Sequence, residues 1–401
     1  MAESDSQAVV PHAGHQAMPT PPASLVTLID RFDPDAIDVT RDKARIRLLV
    51  DGEGGWDAVI QLAGIDLRPI SDASPDAELR ADGTTWGGIA EDFALAMDSF
   101  RTGRLKIRHN LHLGVGFLTA TSGIVEAGRL EFGSVETDVG KLSYLEAGQG
   151  EPVVCIHGLG GTKASFMTTV AALSEERRVI ALDLPGFGDS DKPLDAAYNA
   201  PFFANAVISL LDELEIDTAH LIGNSMGGRV AIETGLLHPE RVDSIVLLCP
   251  ALAWLSDRRW RWLLQAPLPK LGLIQPAPKV ITDRIVRNLV PGAKEGWTAA
   301  GVDEFLRSFL TPKGRVAFYE SARNIYLDEP HGEQGLWTRL ARLSPPALFV
   351  WGVDDQLVPI GFQKHVKKAL PSAEHLVLDC GHVPQLERPE RTHEAIAEFF
   401  S

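Results

Sequence analysis

Residues 221–242 read LIGNSMGGRVAIETGLLHPERV: a short apolar run, one serine between Gly223 and Gly227, then a segment with helical character. That order predicts a strand that turns sharply into a helix with Ser225 in the turn. The glycines there allow close backbone approach, and the hydroxyl projects above the sheet near a helix N-terminus. The competing reading is a serine that only caps the helix. A serine hydroxyl is a poor nucleophile at neutral pH unless a base lies within hydrogen-bond reach and a third group orients that base. The decision therefore rests on whether the rest of the chain supplies both.

Among twelve histidines, His382 in LDCGHVPQLERPE is the best placed, since it follows the last apolar strand and precedes the final helix. That puts it at the carboxyl end of the sheet with Ser225. His109, His112 and His220 fall in or beside strands of less suitable position, His238 ends a helix, and His12 and His15 belong to the N-terminal tail. The acid is expected after the preceding strand, where FVWGVDDQLVP offers Asp354 and Asp355. Neighbours on an extended segment point to opposite sides, so one of the two can face His382. Asp355 is the choice, with Asp354 solvated or in the turn. Acyl transfer also requires donors for a developing oxyanion. CIHGLGG, a glycine-rich turn after another strand, nominates the Leu159 amide, and the residue after the serine nominates that of Met226. GLGGTK lacks the G-K-[ST] ending of a phosphate loop, and no His, Cys, Asp or Glu spacing marks a metal site, so neither a cofactor nor a metal is expected.

Working outward, residues 129–401 alternate strand, turn and helix. Strands are expected at RLEFGSVET, KLSYLEAG, PVVCIHG, VIALDLPG, AHLIGNS, SIVLLCP, ALFVWG and HLVLDCG. The middle ones are continuous apolar runs, as in parallel strands covered on both faces. The alternation lapses over about 251–343, a mostly helical insertion containing Trp254, Trp260, Trp262, Trp297 and Trp337. It leaves the sheet at the ligand-binding edge and reads as a lid rather than a packing decoration.

Residues 24–123 have their own periodicities. ARIRLLVDG and AVIQLAGIDLRP alternate like half-buried strands. In WGGIAEDFALAMDSF, Trp86, Ile89, Ala90, Phe93, Ala94, Met97 and Phe100 recur at helical steps and predict one amphipathic helix. GRLKIRHNLHLGVGFLTATSG follows as a strand and an apolar stretch. Residues 1–23, rich in Pro, Ala and Gln, read as a disordered tail.

The chain has 401 residues and a formal charge of −16, which argues against a nucleic-acid partner. Cys155, Cys249 and Cys380 lie in or at the end of apolar runs, like free buried thiols, and point to a cytoplasmic setting. No signal-peptide core and no membrane-spanning apolar stretch are found.

The succession HGLGG, DLPGFGDSDKP, GNSMGG, WGVDDQLVP and GHVPQLERPE resembles the α/β-hydrolase superfamily over about 270 residues. The resemblance implies an α/β fold with a mostly parallel central sheet, Ser225, Asp355 and His382 as catalytic triad, and residues 251–343 as the helical cap. GNSMGG looks like the esterase, lipase and carbon–carbon (meta-cleavage-product) hydrolase branches, and a serine nucleophile argues against the aspartate-dependent dehalogenases and epoxide hydrolases. The carbon–carbon hydrolases usually carry HGxGPG where this chain has HGLGG, so ester hydrolysis ranks first. ARIRLLVDG, the tryptophan-led helix and MDSFRTGRLKIRHN are similar to sterol carrier protein type 2 domains, with HN replacing the usual GD. That likeness implies a small α/β domain with an apolar cavity for a lipid tail. Arg101, Arg104, Lys106 and Arg108 nearby could meet anionic headgroups at a membrane surface, or form a solvated strand face.

The expectation is a cofactor-independent serine hydrolase acting on a small hydrophobic ester or lipid. The alternatives are a carbon–carbon bond hydrolase and a lipid-binding or transfer protein.

Overall fold

The computed structural model describes residues 20–37, 43–61, 64–92, 94–123, 130–252, 273–274, 278–289, 296–326 and 328–401. Two sheets organise them. The first has five strands, in the order β3-β2-β1-β4-β5, and the second has eight, in the order β13-β12-β11-β10-β8-β9-β7-β6.

The first sheet is built from β1 (Lys43–Val50), β2 (Gly54–Gln61), β3 (Gly64–Pro69), β4 (Ala77–Ala81) and β5 (Lys106–Arg108), with α1 (Ala23–Asp30), α2 (Gly83–Glu91), α3 (Ala94–Arg101) and α4 (Leu111–Ala120) against it. β1 alternates as expected, with Ala44, Ile46, Leu48 and Val50 buried. Three expectations are corrected. AVIQLAGIDLRP divides into the β2–β3 hairpin, whose register pairs Gln61 with Gly64. The single helix expected over 86–100 divides into α2 and α3, because Asp92 is extended (φ −142°) and ends α2. The apolar stretch after β5 is the helix α4, buried at all ten positions, and His112 lies on it rather than beside a strand. A helix covered all round has no polar stripe, so its sequence carries no helical period.

The second sheet contains β6 (Glu131–Thr137), β7 (Gly140–Ala147), β8 (Pro152–Ile156), β9 (Arg178–Leu182), β10 (Ala219–Asn224), β11 (Val242–Leu248), β12 (Ala347–Gly352) and β13 (Glu374–Leu378). β8 to β13 run parallel, and β6 and β7 close one edge antiparallel. All eight strands read from the sequence are present. The two-residue repeat of a strand sends alternate side chains to opposite faces. Val153, Cys155, Ile222, Val246 and Val350 accordingly pack in the core with α5 (Met167–Leu173) and Ile396 of α14 (Pro389–Phe399). Val154, Ile156, Leu221, Leu247 and Phe349 pack with α6 (Ala200–Glu213), α7 (Met226–Leu237) and α12 (Gln363–Ala369). The short α13 (Pro384–Glu387) precedes α14. Core residues of the first sheet and its helices, among them Leu48, Leu79 and Phe117, belong to the same continuous cluster as Val153 and Cys155.

Between β11 and β12 lie α8 (Lys279–Leu289), α9 (Gly296–Phe309), α10 (Pro312–Tyr326) and α11 (Leu336–Leu340), where the sequence places the cap. Trp254, Trp260 and Trp262 fall outside the described residues. Trp337 stacks on Phe362 and His365 of the body, which makes it a packing residue. Among the described residues no helix is long and apolar enough to cross a membrane.

Candidate active site

The turn between β10 and α7 is a strained point of the sheet. Ser225 has φ 54° and ψ −114°, a conformation that a non-glycine residue holds only under constraint from its surroundings. Its amide donates to Leu248 O at 3.0 Å, and its carbonyl accepts from Ala251 at 2.7 Å and Arg229 at 3.2 Å. The flanking glycines are there for space. A Cβ on Gly227 would lie 1.9 Å from Ile156 O, and one on Gly223 would lie 2.3 Å from Gly227 O. Only bare backbone lets the first turn of α7 sit against the end of β8.

Asp355 and His382 come from the turns after β12 and β13, and the structure brings them into contact. His382 Nδ1 lies 2.7 Å from Asp355 Oδ2, while Asp355 Oδ1 accepts the amides of Leu357 (2.8 Å) and Val358 (2.9 Å). Burial alone would raise the Asp355 carboxyl, but the His382 hydrogen bond and charge and those two amides outweigh it and hold the pKa below the ordinary value. A carboxylate accepts at Nδ1, so Nδ1 carries the proton and Nε2 is left as a base. Asp354 is exposed, and its backbone amide donates to Cys380 O at 3.0 Å.

Asn224, which sequence reasoning passed over, ties this pair to the elbow. Its Nδ2 donates to Leu248 O at 3.0 Å and to His382 O at 3.1 Å. His157 is a second such residue. Leu184 N–H donates to His157 Nε2 at 3.0 Å, so Nδ1 must carry the proton, and it donates to Gly158 O at 2.8 Å. Burial lowers the pKa of His157, in keeping with this neutral form. The Gly158 carbonyl also accepts Gly161 N–H at 2.9 Å. In a trans peptide the N–H points opposite to the C=O, so these bonds fix the direction of the Leu159 amide. The turn lies against the elbow: a Cβ on Gly158 would be 3.1 Å from Ser225 Cβ. Met226 is buried and opens α7, where the first amides have no partner within the helix. Neither His157 nor Asn224 announces itself in a sequence, because each is tied to the backbone of another loop, His157 by the Leu184 amide and Asn224 by the His382 carbonyl.

Cys249, Asp355 and His382 place one donor atom each within 4.8 Å of one another. Burial and then the Asp355 charge push the Cys249 thiol far up, so it stays a neutral S–H, and Asp355 already holds His382 and two amides. This trio is better suited to supporting the carboxylate than to binding a cation. All three cysteines are free and buried. A cavity of about 490 Å³ lies elsewhere, lined by Asn199, Arg229, Arg323, Asp328 and Arg339 among others and by none of Ser225, Asp355 and His382.

Residues 151–389, more than half of the chain, match the family model described as alpha/beta hydrolase fold. The chain is 33% identical over 271 residues to the dihydrolipoyllysine-residue acetyltransferase component of the acetoin cleaving system of Pseudomonas putida, covering 64% of this chain and 66% of that relative. It is 31% identical over 261 residues to the pimeloyl-[acyl-carrier protein] methyl ester esterase of Aeromonas hydrophila, covering 64% of this chain and 98% of the relative. Among solved structures, a meta-cleavage product hydrolase from Pseudomonas fluorescens IP01 superposes with a TM-score of 0.54 at 26% identity, covering 67% of this chain and 97% of its own. With the β8–β13 sheet, the strained serine elbow and the Asp355–His382 pair, these matches establish the family: the chain belongs to the alpha/beta hydrolase fold.

Proposed function

We propose that the protein is a serine hydrolase that cleaves a hydrophobic carboxylic ester. His382 Nε2 takes the proton of Ser225 as Oγ attacks the carbonyl carbon, and Asp355 stabilises the imidazolium that forms. The amides of Leu159 and Met226 hold the oxyanion of the tetrahedral intermediate. Collapse expels the alcohol, protonated by His382, and leaves an acyl-Ser225. Water activated by His382 then releases the acid and frees the serine. The observation that carries this reading is the strained Ser225 joined through Asn224 to a His382 whose Nδ1 is already held by Asp355. Three buried free thiols favour a reducing, cytoplasmic setting.

The relatives include both ester and carbon–carbon hydrolases. The proline-free turn Gly158–Gly161 favours the ester. The test is hydrolysis of p-nitrophenyl esters from acetyl to palmitoyl by the wild type and by Ser225→Ala at matched folding. A loss of at least about 10³-fold in the variant is expected. Equal rates in both proteins would remove the serine-esterase reading, and no ester hydrolysis alongside bleaching of a ring-cleavage product would replace it with the carbon–carbon one.

Residues 24–123 are proposed to carry a lipid tail, as the resemblance to sterol carrier domains implies. A mixed sheet backed by helices bearing the buried Trp86, Ile89 and Phe100 supports this. Saturable binding of a fluorescent fatty acid by Ser225→Ala is expected; no binding at micromolar lipid removes the carrier role.

A further inference from the structure

We propose that the N-terminal unit is a positioning element of the active site: Arg108 and the amides that open α4 hold Asp303 and Glu304 of the cap helix α9, and that hold seats Phe305 against Gly160 in the turn that offers the Leu159 amide. The inference rests on the reading of Leu159 as an oxyanion donor.

Asp303 and Glu304 are adjacent carboxylates, 7% and 3% exposed. Two such charges stay buried only where partners meet them. The partners come from the five-stranded unit. Arg108 Nε donates to Asp303 Oδ2 at 2.7 Å and Arg108 Nη2 to Oδ1 at 3.3 Å, while the His109 amide donates to Oδ2 at 2.9 Å. The Leu111 amide donates to Glu304 Oε1 at 2.5 Å. Leu111 opens α4, where unsatisfied amides and the helix dipole favour a carboxylate. Arg108, one of the four basic residues expected to meet headgroups or solvent, is therefore engaged by a carboxylate of the cap.

The same helix also reaches the oxyanion turn. Arg307, one turn beyond Asp303, donates to Glu304 Oε2 at 3.1 Å and to Asp189 Oδ1 at 2.7 Å. Asp189 Oδ2 accepts from Lys163 Nζ at 3.0 Å. Lys163, 1% exposed, also binds Asp183 through Nζ (2.6 Å) and its own amide (2.7 Å). Lys163 stands two residues after Gly161, so the chain of charges ends at the exit of the turn. Phe305, between the two acids and Arg307, covers the turn itself: a Cβ at Gly160 would lie 2.5 Å from Phe305 Cδ2, and Gly160 has φ +75°. α9 thus touches both the N-terminal unit and residues 157–163.

Removing one partner of a buried ion pair leaves the other charge unpaired and is strongly destabilising, whereas exchanging the two charges keeps the pair. Each single variant is therefore compared under conditions where its urea unfolding curve shows it folded, and there the broken contact shows as a displaced turn. A small misplacement of a group that meets the transition state is costly in rate.

The test uses the full chain with Arg108→Ala, Asp303→Ala and the charge exchange R108D/D303R. Arg68→Ala, which breaks an exposed pair with Asp66 in the same unit, serves as control. Each single variant is expected to lower kcat on the best ester by about tenfold and to speed amide hydrogen exchange at residues 157–163; the exchange of charges restores both in large part, and the control matches the wild type. Wild-type exchange at 157–163 in the single variants overturns the proposal whatever the rates do. Faster exchange with unchanged kcat overturns the catalytic part of it. If Ser225→Ala shows that the ester reading itself is wrong, the exchange measurement still decides whether the N-terminal unit holds the turn.

Discussion

The two sheets of this protein bury charge in different ways. In the five-stranded unit, Asp57 is completely buried, yet Arg45, Arg47, the Ser71 hydroxyl and the Ser71 amide surround it, and Arg47 turns Nη2 to the Ser71 and Ala73 carbonyls as well. In the eight-stranded unit, buried Asp355 spends one oxygen on two amides and the other on Nδ1 of His382. Both carboxyls are held below the ordinary range against the opposing effect of burial. A closed set of partners fixes a strand pair, whereas a set that ends on an imidazole is what the proposed catalytic relay requires. The difference lies in what stands at the end of the hydrogen-bond chain, not in the carboxylate.

The sharpest way to break this contrast is to neutralise one aspartate at a time in WGVDD. Asp355→Asn is expected to lower kcat by about 10³ to 10⁴-fold, because an amide no longer selects the Nδ1–H tautomer or stabilises the imidazolium. Asp354→Asn should stay within about twofold, since its side chain is exposed and its backbone amide, which persists, makes the bond to Cys380. Steady-state kinetics on the best p-nitrophenyl ester decides between them. Equal losses in the two variants would mean that the proposed relay has been assigned to the wrong carboxylate.

The same division governs what the sequence disclosed. β8, β10, β11 and β12 were legible as apolar runs because both of their faces are covered, and the elbow, Asp355 and His382 were legible because each sits at the end of such a run. Alternation says only that one of Asp354 and Asp355 can face His382; the resemblance to the hydrolase superfamily puts Asp355 there, and both residues lie past the end of β12. The five-stranded unit was less so. The β2–β3 hairpin hides in one alternating stretch, the break at Asp92 interrupts an unbroken helical period, and α4 has no polar face from which a period could be read. Least legible were the contacts between the units. Arg108 and Asp303 are 195 residues apart in sequence, and no local pattern announces that a basic strand will meet an acidic cap helix. His157 and Asn224 share that opacity, since each has a backbone partner on another loop, the Leu184 amide and the His382 carbonyl.

A smaller effect sharpens the comparison at the seam between the units. His112 of α4 is buried, its Nδ1 has no hydrogen-bond partner, and it lies 3.7 Å from Asp189 Oδ2 and against the Phe132 ring. Burial, helped by the Lys163 and Arg307 charges and opposed by Asp189 and Asp183, pushes its pKa down from 6.5 to about 3. His393 of α14, bonded to Thr169 Oγ1 at 3.1 Å within the eight-stranded unit, is pushed down to about 4, chiefly by burial. In both cases the folded imidazole stays neutral while the unfolded chain takes up a proton below about pH 6.5. The unfolded state therefore binds more protons across that window, and stability falls as the pH drops through it. For a fully buried group the cost accrues at about 1.4 kcal/mol per pH unit, or about 2 kcal/mol from pH 6.5 to about pH 5. His112→Phe keeps a ring beside Phe132 and removes both the titration and the unpaired nitrogen. Urea unfolding of this variant is expected to match or exceed the wild type near pH 7.5 and to lose that share of the acid slope. His393→Phe should flatten the slope too, but its share ends nearer pH 4 because its pKa is less depressed. If His112→Phe keeps the full wild-type slope while His393→Phe loses it, acid sensitivity belongs to the hydrolase core alone. The seam around α4 would then be open enough to water for His112 to titrate as it does in the unfolded chain.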